Sequence, residues 1–291
     1  MSLKLISSHF FCKILLMALS INFPAAGNYQ QYQFQLPLET EHLCPAENYK
    51  CADNKSHFLC EEQSVEPCSN YQHVQLTNEW KRIFIAGHNG IRNKVAEDWH
   101  IANMNLVHWS RDLETMAMLY LQTCQINKDH CLIVGEQRLR VAQNYCLRRR
   151  LAKRWPGRVV RSWYLEIGYN INTIEEYLLE NNATTMENFS QMIWPSVEFV
   201  GCGAGSIAPA LYLIVCYYYP AYNATQLSHE FLAGTPCSRC RQNRNVCSMD
   251  FLGLCGIDID MSGATKIFYF NFLIISNILF YIYYYYLVSL L

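Results

Sequence analysis

The stretch Phe199-Val200-Gly201-Cys202-Gly203-Ala204-Gly205-Ser206-Ile207-Ala208-Pro209-Ala210-Leu211-Tyr212-Leu213-Ile214-Val215-Cys216-Tyr217-Tyr218-Tyr219 carries the reading of the fold. Phe199 to Gly205 and Leu211 to Tyr219 read as two strands, joined by a turn that contains Pro209. Both runs are apolar enough for a central sheet covered on both faces. Cys202 and Cys216 fall one on each strand.

The cover is found upstream. Thr77 can cap a helix that carries Trp80, Ile83, Phe84 and Ile91. Ser110 can cap a second, whose stripe of Leu113, Met116, Ala117, Tyr120 and Leu121 must bury against something. A third helix carries Trp163 and Tyr164, and a fourth segment runs through Phe189, Met192 and Ile193 to Trp194 and Pro195. Helices interleaved with strands predict an α/β fold with the sheet covered on both faces. Between the second and third helices lies a basic block. From Arg138 to Arg161 it holds nine Lys or Arg and no acid, among them Arg148, Arg149, Arg150, Lys153 and Arg154.

The chain has 291 residues, with 23 Lys plus Arg against 24 Asp plus Glu, for a net charge of -1. That balance excludes a nucleic-acid binder driven by global charge, while leaving room for a local basic patch. Apolar residues make up 51% of the chain, which excludes disorder as the main state. The first 27 residues read as a signal peptide: Lys4 and Lys13 flank short apolar runs, and Ala25, Ala26 and Gly27 supply small residues for cleavage. At the other end, Ile267 to Leu291 carries no charge and as a helix would span about 37 Å. This hydrophobic tail, 267–291, is expected to attach the protein to a membrane. It would do so as a spanning helix, or as a glycolipid signal with the attachment site at Ser262, Gly263 or Ala264. The polar spacer usual for a glycolipid signal is missing, and six tyrosines suit an interface better than a bilayer centre.

The 14 cysteines point to an oxidising compartment. Cys12 lies in the signal peptide, so 13 remain and at least one has no intramolecular partner. No zinc-finger spacing is present; Cys237 and Cys240 form a CxxC pair with no second pair or matching histidines. Sequons begin at Asn54, Asn182, Asn188 and Asn223, in keeping with the secretory route. The organisation expected is a Cys-rich wrapping segment over 28–76, a core domain over 77–233 and a Cys-rich extension over 234–260. The protein is expected to be secreted or held at the outer cell surface.

Several segments, in order, resemble the CAP superfamily: cysteine-rich secretory proteins, antigen 5 and plant pathogenesis-related proteins of group 1. They are His88-Asn89-Gly90-Ile91-Arg92, Trp109-Ser110, Val141-Ala142-Gln143-Asn144 and Trp163-Tyr164-Leu165-Glu166. After them come Asn188-Phe189-Ser190-Gln191-Met192-Ile193-Trp194, Val200-Gly201-Cys202-Gly203, Cys216-Tyr217-Tyr218-Tyr219-Pro220 and Gly234-Thr235-Pro236-Cys237-Ser238. The pattern is most similar to insect antigen-5-like, venom-allergen-like members. The resemblance implies an α-β-α sandwich that is secreted and disulfide-bonded. It also implies the pairings Cys44–Cys60, Cys51–Cys131, Cys68–Cys124 and Cys202–Cys216. Cys237, Cys240, Cys247 and Cys255 would pair among themselves, leaving Cys146 free, either buried or in an intermolecular disulfide.

Many members of that family line a central cleft with two histidines and two acids, which in some bind a divalent metal. By resemblance those positions fall here on Lys128, Gln143, Glu166 and Asn188. Both imidazoles are replaced, so no metal and no cofactor is expected, and a Lys128–Glu166 ion pair is expected in their place. His130, two residues from Lys128 and next to Cys131, is expected to point elsewhere. No Ser–His–Asp or Cys–His set is visible. The function expected is that of an extracellular non-enzymatic protein acting through a protein, lipid or anionic-glycan partner, in reproduction, venom or immunity. The alternative is a metal-dependent or serine-type hydrolase. A sulfated glycan or an anionic membrane surface is the partner expected for the basic block, and nucleic acid is not. Asn188 is expected to carry glycan less often than the other sequons.

Overall fold

The computed structural model describes residues 43–46, 49–51, 54, 56–60, 67–168, 171–180, 186–223, 227–241 and 246–258. They belong to one of two units of the chain, Gln35–Leu291; the other, Met1–Phe34, lies outside them. The expected signal peptide, the apolar tail and the sequon at Asn182 also fall outside the described residues. Among those described, no helix is long and apolar enough to cross a membrane.

In chain order the elements are β1 (Gln72–His73), α1 (Asn78–Asp98), β2 (His108–Trp109), α2 (Arg111–Gln122), β3 (Ile133–Val134), β4 (Leu139–Arg140) and β5 (Ala142–Arg148). They continue with α3 (Trp155–Tyr164), α4 (Ile174–Glu180), α5 (Glu187–Ile193), β6 (Phe199–Ala208), β7 (Leu211–Tyr219) and α6 (Leu227–Glu230). The main sheet runs β1-β6-β7-β5, antiparallel throughout, with β2 added parallel to β6. The quoted stretch is thus its central hairpin. Ala210 turns the corner in the left-handed region at φ 53°. Helix α2 covers β6 and β7 on one face, and α1, α3 and α5 pack together with α5 against β5. The architecture is a mixed α/β fold with helices packed on the sheet, as the resemblance implies.

Local chemistry sets these elements. The Thr77 hydroxyl accepts from Trp80 N–H at 3.2 Å, and Ser110 does the same for Leu113 at 3.2 Å. Glycines let α2 lie directly on the sheet. A Cβ on Gly201 would collide with the backbone of Leu113 and Glu114, and one on Gly203 would meet Leu121 Cδ1 at 2.9 Å. The His88-Asn89-Gly90-Ile91-Arg92 motif places three polar side chains on the buried face of α1. Asn89 mimics a strand partner, donating to Val107 O at 3.0 Å and accepting from Val107 N–H at 2.8 Å. Arg92, fully buried, donates to the carbonyls of Asn105, Met192, Trp194, Pro195 and Val197. It therefore fixes the turn between α5 and β6.

Disulfides join Cys44–Cys60, Cys51–Cys131, Cys68–Cys124, Cys202–Cys216, Cys237–Cys247 and Cys240–Cys255; the second and third tie the N-terminal segment to the core, and the last two staple the C-terminal segment internally. Cys202 and Cys216 are directly opposed in the β6–β7 ladder. Cys146 is free and half-buried on β5, and burial pushes its thiol up to about 11, so it behaves as a small hydrophobe.

Two elements depart from the sequence reading. Strand β5 lies inside a stretch with no strand reading, because Gln143 and Asn144 interrupt its apolar character while being buried and hydrogen-bonded. Helix α4 likewise has no clear apolar stripe in sequence, although Ile174 and Tyr177 are buried in the core.

Candidate functional site: a closed central cleft and a basic pocket

Four positions correspond to the expected cleft, and the structure splits them. Glu166 sits in the turn after α3, where Asn188 Nδ2 donates to Oε1 at 2.5 Å and Phe189 N–H donates to Oε2 at 3.1 Å. Burial raises the Glu166 carboxyl above its usual range, while the two N–H donors pull it down. The Lys128–Glu166 ion pair expected from sequence is not formed. Lys128 pairs instead with Glu187, which stands on the first turn of α5 beside Asn188. Glu166 needs no cation because the start of α5 already supplies its donors.

Gln143 turns inward and is only 1% exposed. Its Oε1 accepts from Asp129 N–H at 2.8 Å and its Nε2 donates to Tyr217 Oη at 2.9 Å. The Tyr217 hydroxyl donates to Asp129 Oδ2 at 2.8 Å, and Cys131 N–H donates to Oδ1 at 2.8 Å. Burial raises the Asp129 carboxyl. Sequence reasoning missed Asp129; its place next to Lys128 and two residues before Cys131 was the only signal. His130 is exposed.

A second network lies beneath. His88 Nδ1–H donates to Phe84 O at 2.7 Å, so Nε2 accepts from Tyr218 Oη at 2.9 Å. Asn144 Nδ2 donates to the same hydroxyl at 3.2 Å and to Asn188 O at 2.9 Å. Burial first, then the nearby Arg92 charge, lowers His88 to about 4, so it is neutral at physiological pH.

This donor set does not suit a divalent metal. No imidazole faces Glu166 among these partners, both Glu166 oxygens are engaged, and Lys128 is a cation held by Glu187. Among the described residues, the His, Cys, Asp and Glu groups close enough to share an ion are Cys237, Cys240 and Cys255, whose sulfurs are all in disulfides.

The basic block folds into a pocket of about 220 Å³ lined by Arg148, Arg149, Arg150, Ala152, Trp155 and Arg158. Arg148 is held by Ser162 Oγ at 2.7 Å. Lys153 and Arg154 are exposed just before α3, outside the pocket lining.

Comparison with known proteins decides the family. Residues 85–218 match the model described as "Cysteine-rich secretory protein family", CAP. The chain is 28% identical to Venom allergen 5 of Vespula maculifrons over 200 residues, covering 61% of this chain and 86% of that protein. It is 26% identical to Venom allergen 5 of Polistes dominula, covering 62% and 88%. It is 28% identical to the Cysteine-rich venom protein of Tityus serrulatus, covering 69% and 51%. Residues 85–218 form a CAP domain. As a CAP protein of the antigen-5 type it is extracellular, in keeping with its six disulfides. Lys128 and Asn188, the positions that the resemblance assigns to the family's imidazoles, are both engaged by neighbouring carboxylates.

Proposed function

We propose that this CAP protein acts outside the cell by binding a protein, lipid or anionic-glycan partner, and catalyses no reaction. The observation that carries this reading is that the side chains at the expected cleft positions are already engaged by other groups of the chain. Glu166 is satisfied by Asn188 and Phe189, Lys128 by Glu187, and Gln143 by Asp129 and Tyr217. A general base must be free to reach a substrate proton, and a nucleophile needs a base beside it. The two buried histidines beside these networks are both committed: His88 to Phe84 and Tyr218, and His57, near Asp129, to Ile133 O at 2.8 Å and Leu59 N–H at 3.2 Å. Cys146 is held as a thiol by burial, and its pairing partner across the sheet is Ile214.

The test is elemental analysis of the purified protein together with a peptide and ester hydrolysis screen. Absence of stoichiometric metal and of hydrolysis is expected. Stoichiometric zinc or calcium, or turnover abolished by Glu166→Gln, would overturn the reading.

A further inference from the structure

The basic pocket has features that a solvated charge run does not need. Arg149, Arg150 and Arg158 are exposed, and among the described residues none of the three makes an ion pair or a side-chain hydrogen bond. Like charges crowded round one concavity repel, and this repulsion is relieved when an anion enters. The pocket also lies at the start of α3, a ten-residue helix whose N-cap position, Arg154, makes no side-chain cap and whose first turn has no acid. The N-terminal end of a helix favours negative charge.

The independent observation is Trp155. It lines the pocket, is only 3% exposed, and its indole N–H has no acceptor. Buried donors in native proteins nearly always have partners, so an orphaned one marks a place for a group not made by the chain. The ring is fixed edge-on to Trp80 and Phe84, at centroid distances of 5.6 and 5.5 Å, so the donor is held in place. At about 220 Å³ the pocket is smaller than the ~300–1,000 Å³ of drug-sized clefts, which suits one anionic group on a larger partner.

We propose that this pocket binds a sulfate ester of an extracellular sulfated glycan. The guanidinium groups of Arg148, Arg149, Arg150 and Arg158 donate to its oxygens, and the Trp155 indole N–H completes the set. Guanidinium forks match tetrahedral oxyanions with paired hydrogen bonds, which lysines cannot do. Lys153 and Arg154, exposed beside the pocket, extend the positive track along a polyanionic chain. A concave site with a buried donor favours a projecting sulfate over the flat face of a membrane. This deepens the binding reading and rests on it for the class of partner. Metal in the cleft would overturn that reading and leave the present test untouched.

The test is calorimetric titration of the purified protein with a heparin-derived oligosaccharide and with its desulfated form. Vesicles of phosphatidylcholine and phosphatidylserine form a second arm. Wild type should bind the sulfated oligosaccharide alone, more weakly as salt rises. The variant Arg149→Gln/Arg150→Gln/Arg158→Gln should lose at least about tenfold in affinity. Arg82→Gln/Lys94→Gln/Arg111→Gln, with the same net charge, should stay within about twofold of wild type. Trp155→Phe keeps an aromatic ring in the core while removing the N–H and part of the ring, and should weaken binding by about fivefold. Equal losses in the two triple variants would show that only the overall field matters and would overturn the site. Vesicle binding without oligosaccharide binding would assign the pocket to lipid phosphate and overturn the glycan, as would no binding to either.

Discussion

His88 shows how a residue in a family motif works as structure. Its ring is buried among Phe84, Trp163 and Tyr218, with Arg92 one turn further along α1. Neutral His88 can donate to Phe84 O and accept from Tyr218; a protonated ring could no longer accept that hydroxyl proton and would face the Arg92 charge. The folded value is about 4 against an ordinary 6.5, so the unfolded chain takes up this proton first as pH falls. The contribution to stability is therefore complete above pH 6.5 and is lost between 6.5 and about 4. The size of that loss is on the order of 3 kcal/mol. Denaturant unfolding at a series of pH values should show this fall in wild type and a flatter profile in His88→Asn. The difference between the two cancels the opposing contribution of Glu166 and Asp129, whose carboxyls burial raises. Parallel profiles would contradict the account. The sequence displayed the motif, but its partners Val107, Met192 and Tyr218 lie far along the chain, so the roles of His88, Asn89 and Arg92 needed the fold.

At the scale of elements, β6 and α2 depend on missing side chains. Gly201→Ala puts a Cβ into the backbone at Leu113 and Glu114, where nothing flexible can give way. It should cost about 2 kcal/mol or more in chemical denaturation. Gly90→Ala, on the exposed side of α1 with nothing within 4 Å, should instead stabilise by roughly 0.5–1 kcal/mol. Equal effects at the two sites would contradict the close approach of α2 to the sheet. Helix α5 sets another expectation. Asn188 is half-buried with Nδ2 committed to Glu166 and its carbonyl to Asn144, and Ser190 of the same sequon is buried against Tyr177. Asn54 is exposed. Glycopeptide mass spectrometry should find Asn188 occupied less than Asn54 and Asn223, and full occupancy would mean that this wall is rebuilt. The central hairpin and the helices at Thr77 and Ser110 were legible because apolar periodicity and capping residues are local signals. Strand β5 was not, because its buried Gln143 and Asn144 look polar until Tyr217 and Tyr218 are placed opposite them.

Across the whole molecule, charge is unevenly placed. Nine of the 23 cations fall within 138–161, and all 24 carboxylates lie elsewhere. Such a field speeds encounter with anionic partners and is screened over about 8 Å at physiological ionic strength. At the positions that the resemblance assigns to the family's central cleft, the side chains are engaged by neighbouring groups. Resemblance assigned residues to those positions; how they pair was not legible, because Glu187 is a neighbour that only α5 brings to Lys128. The central claim is that the engagement of Glu166, Lys128 and Gln143 by neighbouring groups leaves no donor set for a metal. Its most direct test is calorimetric titration with zinc of wild type beside Lys128→His/Asn188→His, which puts imidazoles at the two positions that the resemblance assigns to histidine. Wild type should show no specific site, and the double variant should gain one. A one-to-one site in wild type tighter than about 1 μM, lost in Glu166→Gln, would contradict the account.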